Sequence, residues 1–343
     1  MELIYAMIVG LIIGGIFGFI LQRGRFCMNS AFRDILLLKE FKLAKAVAVS
    51  LVVLMVGFAI FAFAGIINLS PRPFKPWAAI VGGLVFGVGM VFAAGCASGT
   101  TYRVGEGMMG SLVAAFGLLT GALMTAVGVL VDVKTALQST TIGTQLTLFG
   151  EFGAITPILM LIVGIVGIAL MFYFWAWPAL KKRKGEPLIK FDRFVDATFK
   201  KAYPWWVTGI LIGLILTAGF VASNGVIGIT GGWKNISDFL TTATVTELGW
   251  TGFIILGIIF GSFLSAIIAK EFKFRVPKEG FTILKQYFGG ILMGFGAVVA
   301  SGCNVTNILG GVPQLSLHSI VVGACIIGGC WIAAYFLFMW KKE

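Results

Sequence analysis

Two of the five cysteines in this 343-residue chain lie in Gly-Cys segments whose surrounding sequences resemble each other. They are Cys96, in Gly95-Cys96, and Cys303, in Gly302-Cys303, and Cys27 is a third candidate. A neutral thiol is a weak hydrogen-bond donor and a soft, polarizable group, whereas a thiolate is a nucleophile and a metal ligand. These cysteines could therefore hold a soft ligand, exchange a disulfide or bind a metal ion.

The spacing of the cysteines argues against a metal centre or a redox pair. No two cysteines have C-x-x-C spacing, and the single histidine, His318, belongs to no ligand cluster, so we expect no zinc site and no thioredoxin-like pair. We also expect no catalytic residue and no cofactor. Cys325 and Cys330 lie in the last apolar segment and are interpreted as packing residues, the usual role of a buried cysteine.

Polar side chains follow both Gly-Cys segments. Hydroxyl and amide donors beside free backbone N–H groups at the start of a helix are suited to an anion. A structural role for His318 and a membrane-anchoring role for Arg25 are the alternatives. The predicted anion-binding residues are Ser98, Thr100, Thr101, Arg103, Asn304, Thr306, His318 and Arg25.

The composition places these segments in a membrane. Hydrophobic residues make up 59% of the chain and charged residues only 12%, against about 25% charged residues in soluble domains. Apolar runs of about 20 residues recur from one end to the other. The sequence therefore excludes a soluble enzyme, a nucleic-acid binder, a disordered protein and a secreted disulfide scaffold. It predicts an all-α polytopic protein in contact with membrane lipid.

About nine transmembrane helices are predicted. With the N-terminus outside and the C-terminus in the cytoplasm, 22 of the 26 Lys and Arg residues fall on the inner side. This distribution satisfies the positive-inside rule and supports this orientation of the chain. We expect the membrane to be the cytoplasmic (inner) membrane of a prokaryote. The first span lacks a small-residue cleavage site, so we expect it to be retained. The spans cover residues 3–21, 45–66, 78–94, 108–131, 154–178, 206–222, 251–269, 287–300 and 317–340.

A basic linker at 181–201 separates two similar halves. Four spans lie on either side of the span at 154–178, and this odd crossing inverts the second copy. We therefore predict one integral membrane domain with an inverted 4+1+4 repeat: a first repeat in 1–131, a connector in 132–205 and a second repeat in 206–343. A shift of 207 positions superposes the identical residues Gly82, Gly83, Gly87, Gly89, Val91, Ala93, Gly95 and Cys96 on their counterparts in 289–303.

The spans that lead into the two Gly-Cys loops are short. The span at 78–94 contains four glycines, and that at 287–300 has 14 residues, about 21 Å of helix against about 30 Å of hydrocarbon. We predict half-helices that end near the middle of the membrane, where irregular backbone persists only beside a cavity or within protein. Close helix packing through glycine is the alternative explanation.

Three segments resemble a known family of transporters. Residues 22–34, 94–107 and 294–304, which include R-G-R-F-C-M and G-C-x-S-G-T-x-Y-R-x-G-E-G, resemble the YeeE/YedE family of sulfur-compound transporters. The likeness is greatest to its thiosulfate-uptake branch, and it extends over nearly the whole chain. The sequence departs from the family after Cys303, where some relatives have a more glycine-rich turn.

The resemblance implies the inward transport of thiosulfate. It implies three cysteines that line a central path and hold the ion in succession, and by motif these are Cys27, Cys96 and Cys303. It also implies a small cytoplasmic sulfur-carrier protein of the TusA type as the receiver. Relatives have been linked to selenium metabolism, so a selenium compound is an alternative substrate.

Physical chemistry limits how such a path works. Thiosulfate is a dianion, and a thiol with an unperturbed pKa of about 8.5 is mostly protonated at neutral pH. A neutral thiol donates a weak hydrogen bond to the ion, whereas a thiolate repels it. Inward movement of two negative charges against about 100 mV costs roughly 4.6 kcal/mol. Because the 14 acidic residues fall in loops or at span ends, rapid consumption in the cytoplasm is a plausible driving force.

Two other functions would use the same residues. A membrane thiol-disulfide oxidoreductase also has cysteines near both membrane faces, but it requires paired thiols. A transporter of a soft metal ion such as Cu(I) uses Cys and Met, but only one of the 12 methionines, Met28, adjoins a candidate cysteine.

Overall fold

The computed structural model describes residues 3–151, 153, 155–177 and 199–340. The regular secondary structure of this part of the chain is almost entirely helical. The exception is an antiparallel pair of two-residue strands, β1 (Leu146–Thr147) and β2 (Gly150–Glu151). Apolar segments of this length form helices because a helix satisfies its backbone polar groups within one segment, as lipid requires. The predicted all-α class is confirmed.

The first half of the chain alternates long helices with short ones. The last helix of this half, α8 (Thr156–Met171), follows the two strands and continues as a π-helix over Phe172–Ala176. The helices before it are α1 (Leu3–Arg23), α2 (Met28–Leu37), α3 (Lys42–Phe63), α4 (Pro76–Phe92), α5 (Ala97–Gly105), α6 (Met109–Ala126) and α7 (Val131–Gln138).

The second half repeats this alternation. A π-helix, Val305–Gly311, occupies the place that α5 has in the first half, and a short 3₁₀ helix covers Val245–Leu248. The α-helices are α9 (Trp205–Ser223), α10 (Ile229–Thr242), α11 (Gly249–Ile268), α12 (Gly280–Val299) and α13 (Leu317–Phe338).

Nine helical segments among the described residues are long and apolar enough to cross a membrane, which confirms the predicted number. The predicted start of the eighth span at residue 287 is wrong. α12 begins at Gly280 and has 20 residues, or about 30 Å, because the residues before 287 contain no helix breaker. Helix α4, with 17 residues, remains shorter than the hydrocarbon core. Most of the predicted basic linker at 181–201, namely residues 181–198, lies outside the described residues.

The main helix contacts join the two halves of the chain. Helix α1 packs along α11 and α9 along α3, while α6 packs along α12 and α13 along α4. Helices α4 and α12 also pack on each other, as do α1 and α9. The corresponding helices of the two halves are α1 and α9, α3 and α11, α4 and α12, and α6 and α13. If each helix is exchanged for the corresponding one, the same set of contacts results. The inversion of the second half relative to the first stays a prediction.

Glycines bring the backbones of α1 and α11 into direct contact. A Cβ atom at Gly261 would lie 1.9 Å from the carbonyl oxygen of Gly15, and one at Gly14 would lie 2.3 Å from that of Ile254. Because backbone atoms cannot move aside as side chains do, any larger residue would force the helices apart. Glycine therefore permits close helix packing here, as small residues do in membrane bundles.

We expect Gly261→Ala to destabilise the fold, because overpacking of a tight contact costs about 1–3 kcal/mol. The measurement is the temperature at which the detergent-solubilised protein loses its monodisperse peak in size-exclusion chromatography. Gly231→Ala in α10 is the matched control, since a Cβ atom there meets nothing within 4 Å. Equal temperatures for the two variants would contradict the importance of the close approach.

Candidate functional site

The three candidate cysteines each lie two residues after a helix end with left-handed backbone. The left-handed residues are Arg25, Ala94 and Ser301, with φ angles of 49°, 56° and 56°. In each case the N–H of the next residue bonds the carbonyl five positions earlier, at 3.0, 3.0 and 2.7 Å respectively. This pattern is the Schellman cap. The cap stops the long helix, so that Cys27 and Cys96 become the N-cap residues of α2 and α5.

The end of α9 also has a left-handed residue, but no thiol follows it. Asn224, with φ of 52°, ends α9, and the residue two positions later is Val226. A shift of 199 positions, which superposes Gly10 and Gly14 of the first span on Gly209 and Gly213, also places Val226 opposite Cys27. The second half therefore contributes one candidate cysteine where the first half contributes two.

Two of the three thiols lie in contact with each other. The Sγ atoms of Cys27 and Cys96 are 3.7 Å apart, and both side chains are fully buried. The hydroxyl of Ser98 lies 3.5 Å from Cys96 Sγ, and the backbone N–H of Gly99 donates to the same sulfur at 3.3 Å. We call Cys27, Cys96, Ser98 and Gly99 the paired-thiol site.

Gly99 is the residue that leaves room for both thiols. A Cβ atom at this position would lie 2.7 Å from Cys27 Sγ and 3.2 Å from Cys96 Sγ. The next residue, Thr100, has a buried hydroxyl with no hydrogen-bond partner among the described residues. By contrast, the hydroxyl of Thr101 donates to Ala97 O at 2.8 Å and accepts the indole N–H of Trp233 at 2.9 Å. Of these two predicted anion-binding hydroxyls, Thr100 is the one available for a ligand.

Cys303 lies apart from the other two thiols. Its Sγ atom is 3.5 Å from the hydroxyl of Thr306, which in turn lies 3.4 Å from the carbonyl oxygen of Ile227. Both side chains are buried, Cys303 completely. We call Cys303 and Thr306 the single-thiol site.

A contact between Met28 and Asn304 joins the two sites. The Nδ2 group of Asn304 donates to Met28 Sδ at 2.9 Å, and both side chains are fully buried. Met28 follows Cys27 and Asn304 follows Cys303, so this contact lies on the connection between the thiols. Two atoms here, Asn304 Oδ1 and Asn29 Nδ2, are buried without a hydrogen-bond partner in the described part of the chain. The sequence analysis missed Asn29 as a candidate residue.

The remaining two cysteines are placed differently. Cys330 is buried and its Sγ atom donates to Asn29 Oδ1 at 3.6 Å. Cys325 is half-buried and lies on the face of α13 that packs against Gly83. The role of both as packing residues stays a prediction.

An ionic cluster closes the end of α1 that leads into Cys27. Arg23, which is only 1% exposed, forms an ion pair with Glu271. Arg25 lies 2.9 Å from Glu271 and 3.6 Å from Glu106. The amide of Gln22 donates to Glu106 at 3.0 Å and to Glu271 at 2.9 Å. The charge of Arg25, a predicted anion-binding residue, is thus shared between two carboxylates.

The pKa of Glu271 reflects this cluster. Burial opposes ionisation of the carboxyl group, but the hydrogen bond from Gln22 and the positive charges of Arg25 and Arg23 outweigh it and hold the pKa of Glu271 below its ordinary value. The carboxylate is therefore stabilised in the folded protein relative to the unfolded chain, and protonation at low pH removes that stabilisation.

Two other predicted residues bond to backbone carbonyls. Arg103 donates through Nη1 to Ala94 O at 2.6 Å. The Nδ1 atom of His318 accepts the backbone N–H of Lys75 at 3.4 Å, which assigns the proton to Nε2, and Nε2 donates to Ala300 O at 3.1 Å. Because both of its ring nitrogens are bonded to backbone, His318 fits the structural alternative.

Arg72, one of the four basic residues that the predicted topology places on the outer side, approaches the single-thiol site. A Cβ atom at Gly302 would lie 2.7 Å from Arg72 Nη1. This nitrogen is buried, and no described residue accepts a hydrogen bond from it. Arg72 belongs to the loop before α4 and is far from Cys303 in the sequence, so no local pattern could have indicated the contact.

The comparison with known proteins decides the family. The family model described as sulphur transport matches residues 23–332, which include both thiol sites. The chain belongs to the sulphur transport family. The resemblance of its motifs to the YeeE/YedE family is thereby confirmed.

Two known proteins match this chain over nearly its full length, and a third matches a quarter of it. The thiosulfate transporter TsuA of Spirochaeta thermophila is 38% identical, over 96% of this chain and 98% of its own. The thiosulfate transporter TsuA of Escherichia coli is 32% identical, over 98% of this chain and 96% of its own. The probable transporter YedE of Escherichia coli is 39% identical over 25% of this chain and 21% of its own.

We expect Glu271→Gln to lower the melting temperature of the detergent-solubilised protein at pH 7. Since the folded-state pKa of Glu271 lies below the ordinary value of 4.5, the difference from wild type should persist above that pH and shrink as the pH falls below it. Glu279→Gln is the control, because Glu279 is exposed and caps no N–H group. A difference that does not change with pH would contradict the role of the carboxylate charge.

Proposed function

We propose that this protein carries thiosulfate inward across the cytoplasmic membrane of a prokaryote, with its N-terminus outside and its C-terminus in the cytoplasm. The ion passes the single-thiol site first and the paired-thiol site second. The names of the two full-length relatives support the substrate. The observation that carries the path is the burial of three thiols in two sites connected by the contact of Met28 with Asn304.

The donors at the two sites suit an anion whose terminal atom is a soft sulfur. At the single-thiol site, a thiol lies beside the hydroxyl of Thr306. At the paired-thiol site, two thiols lie beside the hydroxyl of Ser98 and the N–H of Gly99. As neutral donors they bind a dianion without the repulsion that a thiolate would cause. The transport step needs no covalent bond and no catalytic residue.

The sequence predicts that three thiols hold the ion one after another, but Cys27 and Cys96 lie too close together to act as separate positions. Sulfur atoms 3.7 Å apart are in contact, so both thiols hold the same ion. We therefore propose two binding stations along the path, with one and two thiols respectively.

Met28 is the barrier between the two stations. Its side chain fills the space beside Asn304 and is fully buried. An unbranched methionine has three rotatable bonds and adapts readily to a changed space. We propose that Met28 turns aside to admit the ion, and that Asn304 then donates its amide N–H to the ion in place of the thioether sulfur.

The exit lies at the ionic cluster of α1. Helix α5 has nine residues, or about 14 Å, and connects the paired-thiol site to Glu106. We propose that the cluster opens when the ion leaves, and that a small sulfur-carrier protein of the TusA type consumes the ion in the cytoplasm. Such consumption offsets the cost of bringing two negative charges into a negative interior.

The first test measures uptake of radiolabelled thiosulfate by cells that lack their own thiosulfate and sulfate importers. We expect Cys27→Ala, Cys96→Ala and Cys303→Ala each to reduce the initial rate at least about tenfold at equal membrane levels, because each removes a donor that no neighbour replaces. Cys325→Ala is the control outside both sites.

Serine variants test whether the thiol itself matters. Cys96→Ser and Cys303→Ser replace the thiol with a hydroxyl donor of similar size. An unchanged uptake rate in both variants would therefore contradict a relay that depends on sulfur. If cells with the wild-type protein take up no thiosulfate even when a carrier protein is present, the substrate is instead another sulfur or selenium compound.

The thiol pair also favours a second candidate function, a membrane thiol-disulfide oxidoreductase. The two sulfurs would need to close from 3.7 Å to about 2.05 Å to form a disulfide. Titration of free thiols in the denatured protein, before and after repeated turnover, separates the two functions. A transporter retains all five free thiols of the chain, whereas an oxidoreductase loses two of them in its oxidised state.

A further inference from the structure

A guanidinium group lies over the glycine of each Gly-Cys segment. Gly95 and Gly302 occupy equivalent positions in the two halves of the chain. A Cβ atom at Gly95 would lie 3.3 Å from Arg103 Nη1, and one at Gly302 would lie 2.7 Å from Arg72 Nη1. A Cβ atom at either position would crowd the guanidinium group, so glycine leaves space for the arginine beside the backbone that precedes each cysteine.

The two arginines do not come from equivalent positions in the repeat. The position that matches Arg103 in the second half is Gly310, and Arg72 comes instead from the loop between α3 and α4. The same arrangement of guanidinium, glycine and thiol is thus built in two different ways. This makes a shared chemical role a better explanation than inheritance from one repeat unit.

The hydrogen bonds of the two arginines differ. Arg103 Nη1 donates to Ala94 O at 2.6 Å, whereas Arg72 Nη1 is buried with no acceptor in the described residues. A buried cationic N–H group without an acceptor is costly, so such a group usually marks a missing ligand. The free donor of Arg72 faces Gly302, the residue before Cys303.

The other basic groups near Arg72 are already engaged. The Nζ atom of Lys75 bonds to Gln138 at 3.4 Å, and both ring nitrogens of His318 bond to backbone atoms. Among these side chains, Arg72 is the one with a buried positive donor that has no acceptor.

We propose that Arg72 binds the oxyanion end of the transported ion while Cys303 contacts its terminal sulfur. This assignment rests on the proposed function and completes the first binding station. A guanidinium presents several N–H donors in a fixed plane and stays charged at any physiological pH, so it suits the oxygens of a sulfur oxyanion. Arg72 supplies affinity for the negative charge, and the thiol distinguishes a sulfur terminus from an oxygen.

The test compares uptake kinetics of Arg72→Gln, Arg72→Lys and Lys75→Gln with those of wild type. We expect Arg72→Gln to raise the KM for thiosulfate at least about tenfold with little change in maximal rate, because it removes a charged donor. Arg72→Lys should restore part of the affinity, since it keeps the charge but not the planar fork. Lys75→Gln should leave the KM unchanged.

An unchanged KM in Arg72→Gln would overturn the proposal. So would a fall in maximal rate with an unchanged KM, or equal defects in the Gln and Lys variants with a lowered melting temperature, because these results indicate a structural role.

The experiment also separates this proposal from the proposed function. If wild-type cells take up no thiosulfate, the proposed function fails, and calorimetric titration of the purified proteins with sodium thiosulfate and sodium sulfate decides about Arg72. Thiosulfate or sulfate binding that is present in wild type and lost in Arg72→Gln supports the anion site. Equal binding by both proteins, or no binding by wild type, overturns it.

Discussion

A membrane interior does not tolerate an uncapped helix end, and the arrangement of the thiols follows from this constraint. Each long helix that stops near a cysteine satisfies its last carbonyl groups through a residue in the left-handed region. The same turn redirects the chain and places a cysteine at the start of a short helix. Backbone N–H groups at that start, such as that of Gly99, then point at sulfur. The cap that the lipid environment demands is therefore also the element that builds the site.

Charge is distributed along the proposed path in a way that fits a dianion. Arginines lie at the borders of the thiol sites, and those of the ionic cluster are balanced by Glu106 and Glu271. Between these borders the side chains that could donate to the ion are thiols, hydroxyls and amides, which act as neutral donors in the proposed mechanism. Full positive charges in the centre would bind the ion too tightly for release, whereas an apolar centre would exclude it. Neutral donors give an intermediate affinity, which transport requires.

Much of the fold could be predicted from the sequence because the bilayer imposes a single length scale on the helices. Apolar runs gave nine spans, and the repeated glycines indicated which spans correspond. The start of α12 was misplaced because Lys285 and Gln286 interrupt the apolar run without ending the helix. The site was predictable where it lies within a motif, as for Cys96 and Ser98. The contacts of Met28 with Asn304 and of Arg72 with Gly302 join distant segments, so no local pattern carries them.

The valine at position 226 breaks the equivalence of the two halves. If a cysteine stood there, exchanging the halves would map each station onto one with the same number of sulfur donors, and the ion would have no preference between them. With Val226 in its place, one end offers a single thiol and the other offers two. A further weak donor adds about 0.5–1.5 kcal/mol, so in the proposed path the ion would reside longer at the end with two thiols. A protein assembled from two similar halves thereby acquires two unequal thiol sites, while the direction of net transport follows the electrochemical gradient of the ion.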